Sequence, residues 1–251
     1  MPEQTIAETL AAALRQEEFV VYGQEISPIA SSRDERPFQE ILVRFQQEEE
    51  RLLPPGRFFP ILEEEGLIPL LDRWVVGSVI KWIHSGLAIK PDWLVPRNNI
   101  NIAPDTIEDP TFATFIRKHV EIARTPQDTL GFEIPWATIV ERGPQIQQFM
   151  KQLKPMGCRF TFAGFEGNEQ QVAVLKYLKP DYVKIGTRFL RNLGSGSSES
   201  RVVAIIRGQC RSMGIATIAE QIESEETLAE VKRIGIDFAQ GFGISLPHPL
   251  R

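Results

Sequence analysis

Glu40-Ile41-Leu42-Val43-Arg44-Phe45 is the stretch on which the reading of this chain turns. Its alternation puts Ile41, Val43 and Phe45 on one face of a strand and Glu40, Leu42 and Arg44 on the other. In a barrel walled by helices the aliphatic row faces the helices. The other row then points into the barrel, where a carboxylate and a guanidinium need partners or a task. Taken alone, the pattern also describes an ordinary strand with a solvated Glu and Arg. Later strands repeat the arrangement, and that repetition favours the barrel.

Outward from this stretch, strand-like and helix-like segments alternate. Upstream, a helix is predicted over about residues 4–17, where Ile6, Leu10 and Leu14 recur every four positions; Phe19-Val20-Val21-Tyr22 then reads as a strand and Ser27 to Pro37 as a polar loop. Downstream, Phe58 to His84 reads as two helical pieces divided near Gly66, and Pro91 and Pro96 break the next connection. Short apolar runs follow at Asn98 to Ile102, Leu130 to Ile134, Arg159 to Ala163, Tyr182 to Ile185, Ile215 to Ala219 and Gly235 to Phe238. With the two earlier strands they make eight. Strands alternating with helices predict an α/β fold, a (β/α)8-type TIM barrel. An open doubly wound sheet is the competitor, but no GxGxxG turn marks a dinucleotide site. The expected organisation is one domain over residues 1–251.

The chain of 251 residues, 42% hydrophobic and 24% charged, has apolar side chains enough for a sizeable core. A net charge of -5 gives no general electrostatic case for nucleic acid or an anionic membrane. No apolar run is long enough to span a bilayer, and the first residues lack a signal-peptide pattern. Cys158 and Cys210 form no CxxC pair, which argues against a structural zinc site and for a reducing compartment. A cytoplasmic location is expected.

Polar residues punctuate the strand ends: Asn101, Glu133, Lys184, Glu220 and, after the last strand, Gln240. C-terminal strand ends carry the chemistry of barrel enzymes. Carboxylates, a carboxamide and a lysine converging there could hold a hard divalent ion and activate water on a phosphate ester. Each residue alone is more simply a solvated loop charge or a helix cap; all of them together are harder to dismiss. The acid runs Glu48 to Glu50 and Glu63 to Glu65 read as solvated helix ends, and the scattered His84, His119 and His248 as neither ligands nor bases.

With these residues in view, the chain resembles the EAL-domain family of cyclic di-GMP phosphodiesterases. The opening stretch is similar to the family's EALxRW signature, and Tyr22-Gly23-Gln24-Glu25-Ile26 to its YYQPI. Pro55 to Pro60, with Glu63 and Gly66-Leu67-Ile68, resembles PxxFIPxAExxGLI. Ile100 to Pro104 resembles VNLSP, Lys184-Ile185 with Arg188-Phe189 resembles KIDxxF, and Ala219 to Glu223 resembles AEGVE. Gln240-Gly241-Phe242 with Ser245 and Pro247 resembles QGYxFSxP. The likeness runs over roughly residues 10 to 250, and such ordered matches are specific. It implies a barrel with one antiparallel strand, usually the first.

The departures from the family pattern fall on its acids. Glu133-Ile134-Pro135-Trp136 stands where the family has its metal-binding EITE, so the second acid is Trp136. Ala163-Gly164-Phe165-Glu166-Gly167-Asn168 stands at DDFGTG, without either aspartate, and KID ends in Gly186. Positions resembling the catalytic set remain at Glu40, Asn101, Glu133, Lys184, Glu220, Glu223 and Gln240, with Glu40, Asn101 and Glu133 as the remnant of the metal ligands. Two-metal hydrolysis needs carboxylates to hold both ions. Glu166 or Glu169 would have to swing in from the loop to replace them. No cofactor is therefore expected, and Mg²⁺ or Mn²⁺ only if residual activity exists.

Fewer acids also mean less repulsion toward a doubly anionic ligand. At about 6 Å and an effective dielectric of about 20, each acid–phosphate pair costs on the order of 2–3 kcal/mol before screening. The expected ligand set, by resemblance and chemistry, is Gln24, Leu42, Arg44, Asn101, Phe165, Lys184, Glu220, Gln240 and Pro247: Arg44 on a phosphate, Leu42, Phe165 and Pro247 on a guanine face, Gln24 on its edge. The expected function is a catalytically inactive cyclic di-GMP receptor in bacterial signalling, passing its signal to a protein partner, with room for a homodimer. A nucleotide-independent protein-interaction module and a residual metal-dependent phosphodiesterase are the alternatives. The module gains if Trp136 fills the ligand cavity.

Overall fold

Rows of alternating side chains make the wall of the fold, and their alternation decides what lies inside it. The computed structural model describes residues 10, 12–14, 18–29, 36–46, 52–53, 55–191 and 193–250. Residues 10 and 12–14 are helical, with Leu10 and Ala13 buried in the core; the rest of the expected N-terminal helix, like Glu48 to Glu50, lies outside the described residues. The strands are β1 (Phe19–Glu25), β2 (Ser27–Pro28), β3 (Phe38–Gln46), β4 (Leu52–Leu53), β5 (Arg97–Asn101), β6 (Leu130–Pro135), β7 (Arg159–Phe165), β8 (Tyr182–Ile185), β9 (Ala216–Ala219), β10 (Phe238–Ala239) and β11 (His248–Pro249). Between them run α1 (Pro55–Glu64), α2 (Ile68–Ile89), α3 (Pro104–Glu108), α4 (Phe112–Ala123), α5 (Trp136–Leu153), α6 (Glu169–Leu178), α7 (Ser198–Ser212) and α8 (Glu225–Ile234). Gly66, with φ +63°, turns the chain between α1 and α2 in a conformation that suits glycine.

The sheet order is β11-β1-β3-β5-β6-β7-β8-β9-β10-β2. From β3 to β10 along this order every neighbour is parallel, whereas β1 is antiparallel to β3, with Gln24 opposite Glu40. The eight strands expected from the sequence are present, and the first is the antiparallel one. One part of the reading needs correction. The polar loop expected from Ser27 begins as β2, which pairs with β10 and brings the curled sheet round on itself. Ile26 N–H donating to Phe38 O at 2.8 Å and Ile29 N–H to Asp237 O at 3.0 Å hold that seam.

Ile41, Val43 and Phe45 are buried against the helices, as are Ile100, Phe132, Ile134, Phe160, Phe162, Val183 and Ile185. This layer between sheet and helices is the main core. A second, smaller cluster lies inside the ring. It consists of Ile26, Phe38, Tyr182, Ile218 and Phe238. The Phe38 ring lies 4.9 Å from Tyr182 and 5.7 Å from Phe238, and Tyr182 lies 5.9 Å from Phe238, a three-ring floor of tilted and edge-on contacts. Near the N-terminal strand ends, Asp128 takes Arg97 at 2.6 Å and Arg159 at 2.6 Å, and Arg159 also reaches Asp181 at 2.7 Å.

Candidate functional site

Three strands carry the same pair of inward residues, an aromatic followed two positions on by a polar group: Phe38 and Glu40, Tyr182 and Lys184, Phe238 and Gln240. Because the side-chain period of a strand is two, the polar members stand one layer above the aromatic floor. There they converge. The Lys184 ammonium donates to Glu40 Oε2 at 2.6 Å and to Glu133 Oε2 at 2.7 Å, and lies 3.7 Å from Glu220 Oε2. Its side chain is 1% exposed.

Amides complete the cluster. Asn101 Nδ2 donates to Glu40 Oε1 at 2.8 Å, and Gln240 Nε2 donates to Glu40 Oε2 at 2.8 Å and to Gln24 Oε1 at 3.0 Å. Gln24 Nε2 in turn donates to Ser245 O at 3.0 Å. On the Glu133 side, Asn99 Nδ2 donates to Oε2 at 2.5 Å, and Thr161 Oγ1 donates to Asn99 Oδ1 at 3.0 Å. Asn99 and Thr161 were not singled out from sequence. The signal was there, since Asn99 shares a strand row with Asn101.

The charges are coupled. Burial works against the Lys184 ammonium, yet Glu133, Glu40 and Glu220 outweigh it and raise its pKa. Burial pushes the Glu133 carboxyl up to about 8 despite the pull of Lys184, with the Glu40 charge adding to the push. Glu220 is raised by burial as well. Burial would raise Glu40 too, but the Lys184 charge and bonds from Lys184, Asn101 and Gln240 hold it below the usual carboxylate range. The cluster therefore keeps its cation and one firm anion, and Glu133 is the group that takes up a proton most readily.

Above it opens a cavity of about 240 Å³, lined by Gln24, Glu40, Leu42, Glu220, Glu223 and Gln240, together with Gln221, Gly241 and Phe242. Gln240 Oε1 is buried without a hydrogen bond. Phe242 is exposed at the rim. So the structure gathers most of the residues the sequence nominated. Three it places elsewhere. Arg44 donates to Val43 O at 2.9 Å, with its guanidinium 5.9 Å from the Tyr22 ring. Pro247, half-buried, stands just before β11 and outside the cavity lining. Phe165 is fully buried in the helix-facing core.

The reason for the Phe165 placement is a bulge. The β7–β8 register shifts between Ala163 and Phe165, across Gly164 at φ +84°. The extra residue turns Phe165 out of the inward row, onto the same layer as Phe162. Trp136, at the start of α5, packs its ring 5.8 Å from Phe165 and 6.2 Å from Phe162. It is half-buried against the core, and it does not line the mouth cavity. Glu166 pairs with Arg188 at 2.8 Å, and Glu169 is exposed in the first turn of α6. Neither joins the Lys184 cluster. Among the described residues, no three His, Cys, Asp or Glu side chains are arranged to hold a metal ion.

Comparisons with known proteins fit this geometry. A family model described as the EAL domain matches residues 7–247. The cyclic di-GMP phosphodiesterase PdeB of Shewanella oneidensis is 29% identical over 241 residues, 96% of this chain and 28% of that protein. The cyclic di-GMP phosphodiesterase PdeF of Escherichia coli is also 29% identical over 241 residues, covering 96% of this chain and 31% of its own length. The chain thus spans less than a third of these relatives. The FimX EAL domain of Pseudomonas aeruginosa, solved bound to c-di-GMP, superposes with a TM-score of 0.88 over 98% of both chains at 20% identity, a likeness of fold.

Proposed function

The chain belongs to the EAL-domain family, and from that premise we propose that it binds cyclic di-GMP at the barrel mouth without hydrolysing it. One observation carries the reading. The Lys184 ammonium already sits among Glu40, Glu133 and Glu220, while Ala163 and Gly164, just before the last residue of β7, bring no side-chain oxygen. A pair of divalent ions does not fit these residues. Both oxygens of Glu40 and Oε2 of Glu133 are taken by Lys184, Asn101, Gln240 and Asn99.

The same residues suit an anionic nucleotide. Lys184 offsets the acids beneath the cavity, so a phosphate meets less repulsion than over an uncompensated cluster. Arg44 is held by a single carbonyl in this structure and can exchange it for a phosphate, a charge-assisted bond roughly twice as strong as a neutral one. Gln24 and Gln240 offer amides to a base edge, and Leu42 and Phe242 offer apolar surface to its face. The output is transmitted to a protein partner.

Calorimetric titration with cyclic di-GMP in chelator, beside an assay for the linear product with Mg²⁺ or Mn²⁺, tests the proposal. Binding in chelator with no turnover is the expected result. Steady metal-dependent turnover overturns it. The absence of heat under every condition leaves the protein-interaction module as the better reading.

A further inference from the structure

Behind β3, between the sheet and helices α1 and α2, lies a second cavity of about 320 Å³. Its walls are mostly aliphatic and aromatic: Ile41, Leu42, Val43 and Ile100 from the strands, Phe59 from α1, Leu71 and Val75 from α2, with the Asn101 carboxamide at the edge it shares with the barrel mouth. One ionisable group faces it, Asp72, which is 6% exposed. Asp72 Oδ2 accepts from Ala103 N–H at 2.9 Å and from Thr106 Oγ1 at 2.6 Å, capping α3. Both bonds fall on the same oxygen. Oδ1 makes no hydrogen bond, and no cation pairs with the carboxylate, among the described residues.

We propose that this cavity is a binding site for a small hydrocarbon molecule carrying one protonated amine, its ammonium on Asp72 Oδ1 and its chain along the Ile41, Val43 and Val75 wall. Charge complementarity selects the class. A buried carboxylate without a counter-ion is costly, and burial accordingly pushes Asp72 up to about 6, leaving it charged at neutral pH. A ligand that brings both a cation and apolar surface relieves that cost and fills space of the size that small-molecule sites have. An alcohol of equal length lacks the charge, and a carboxylate is repelled.

The test uses n-hexylammonium, hexan-1-ol and hexanoate as probes, with no nucleotide present, so that its failure and a failure of nucleotide binding are read separately. Titration is followed by calorimetry and by methyl shifts of Val75 and Ile100. Hexylammonium is expected to bind at least tenfold more tightly than hexanol, with hexanoate silent. Asp72→Asn, which keeps an acceptor for Ala103 and Thr106, is expected to lose at least tenfold in hexylammonium affinity while remaining folded. Val75→Phe, which fills the cavity and leaves the acid, is expected to exclude all three probes. Equal binding of the three probes, equal binding by Asp72→Asn, or shifts confined to residues outside the cavity would overturn the proposal.

Discussion

Lys184 and Glu40, 144 positions apart in the chain, meet at 2.6 Å inside the ring of strands. Removing one partner of a buried pair leaves the other charge uncompensated, typically at a cost of about 3–5 kcal/mol. Lys184→Met should lose roughly that much in urea denaturation at pH 7. The deficit should widen with rising pH, because acid conditions let the orphaned carboxyls protonate. A loss below about 1 kcal/mol, flat with pH, contradicts a central role for this cation.

Arg44 makes one hydrogen bond in this structure, to the Val43 carbonyl, so its truncation separates binding from folding. Arg44→Ala should weaken cyclic di-GMP by about 10- to 100-fold in chelator, the range of about 1.5–3 kcal/mol for a charged hydrogen bond. Its melting temperature should hardly move. Unchanged affinity in calorimetry removes the phosphate assignment.

Restoring acids at the end of β7 tests the electrostatic argument directly. A Cβ at Gly164 meets nothing closer than the Trp136 Cβ at 3.8 Å, and Asp tolerates the left-handed backbone there better than most residues. Ala163→Asp with Gly164→Asp should weaken nucleotide binding in chelator by tenfold or more, and Mn²⁺ should recover it. Equal affinity of variant and parent in chelator refutes the repulsion.

Asp72 gives a pH dependence with a definite sign. Its folded-state pKa, raised by burial to about 6 from 3.8, means that the native state holds this proton longer than the unfolded chain does. Stability from this group is full below about pH 4 and is lost as pH rises through about 6, a drop of about 3 kcal/mol. Asp72→Asn should therefore be the more stable protein at pH 8 and show no advantage at pH 4, as read from guanidinium midpoints.

Trp136→Ala asks whether that ring is core or plug. Losing its contacts with Phe162 and Phe165 should cost about 2–4 kcal/mol of stability. Cyclic di-GMP affinity should stay within about twofold, since the ring lies outside the mouth lining. A gain in affinity would mean that the indole obstructs the ligand.

Much of this was legible in the sequence because a strand row is a strong constraint. Glu40, Asn101, Glu133, Lys184, Glu220 and Gln240 were all nominated from their positions, and they do gather round one ammonium or above it. Phe165, expected on a guanine face by resemblance and chemistry, would share the inward facing of Thr161 and Ala163 only on a regular ladder. The bulge at Gly164 breaks that regularity by a single residue, and one residue reverses the facing of everything after it. The pairing of β2 with β10 was missed for another reason. Two residues are too few to show a period, and only the tertiary ring supplies their partner. Asp72 was invisible as well, because its bonds run from α2 to the start of α3, about thirty positions on.

The three-ring floor has one more consequence. A tube stoppered at one end is a cup, and the Phe38, Tyr182 and Phe238 rings are the stopper. The cavity above Lys184 opens at the rim where Leu42 and Phe242 stand. Any molecule that settles over that rim shuts Glu40 and Glu220, the partly exposed members of the cluster, away from bulk solvent, and the charges beneath it then act on their guest at the strength of a protein interior rather than of water.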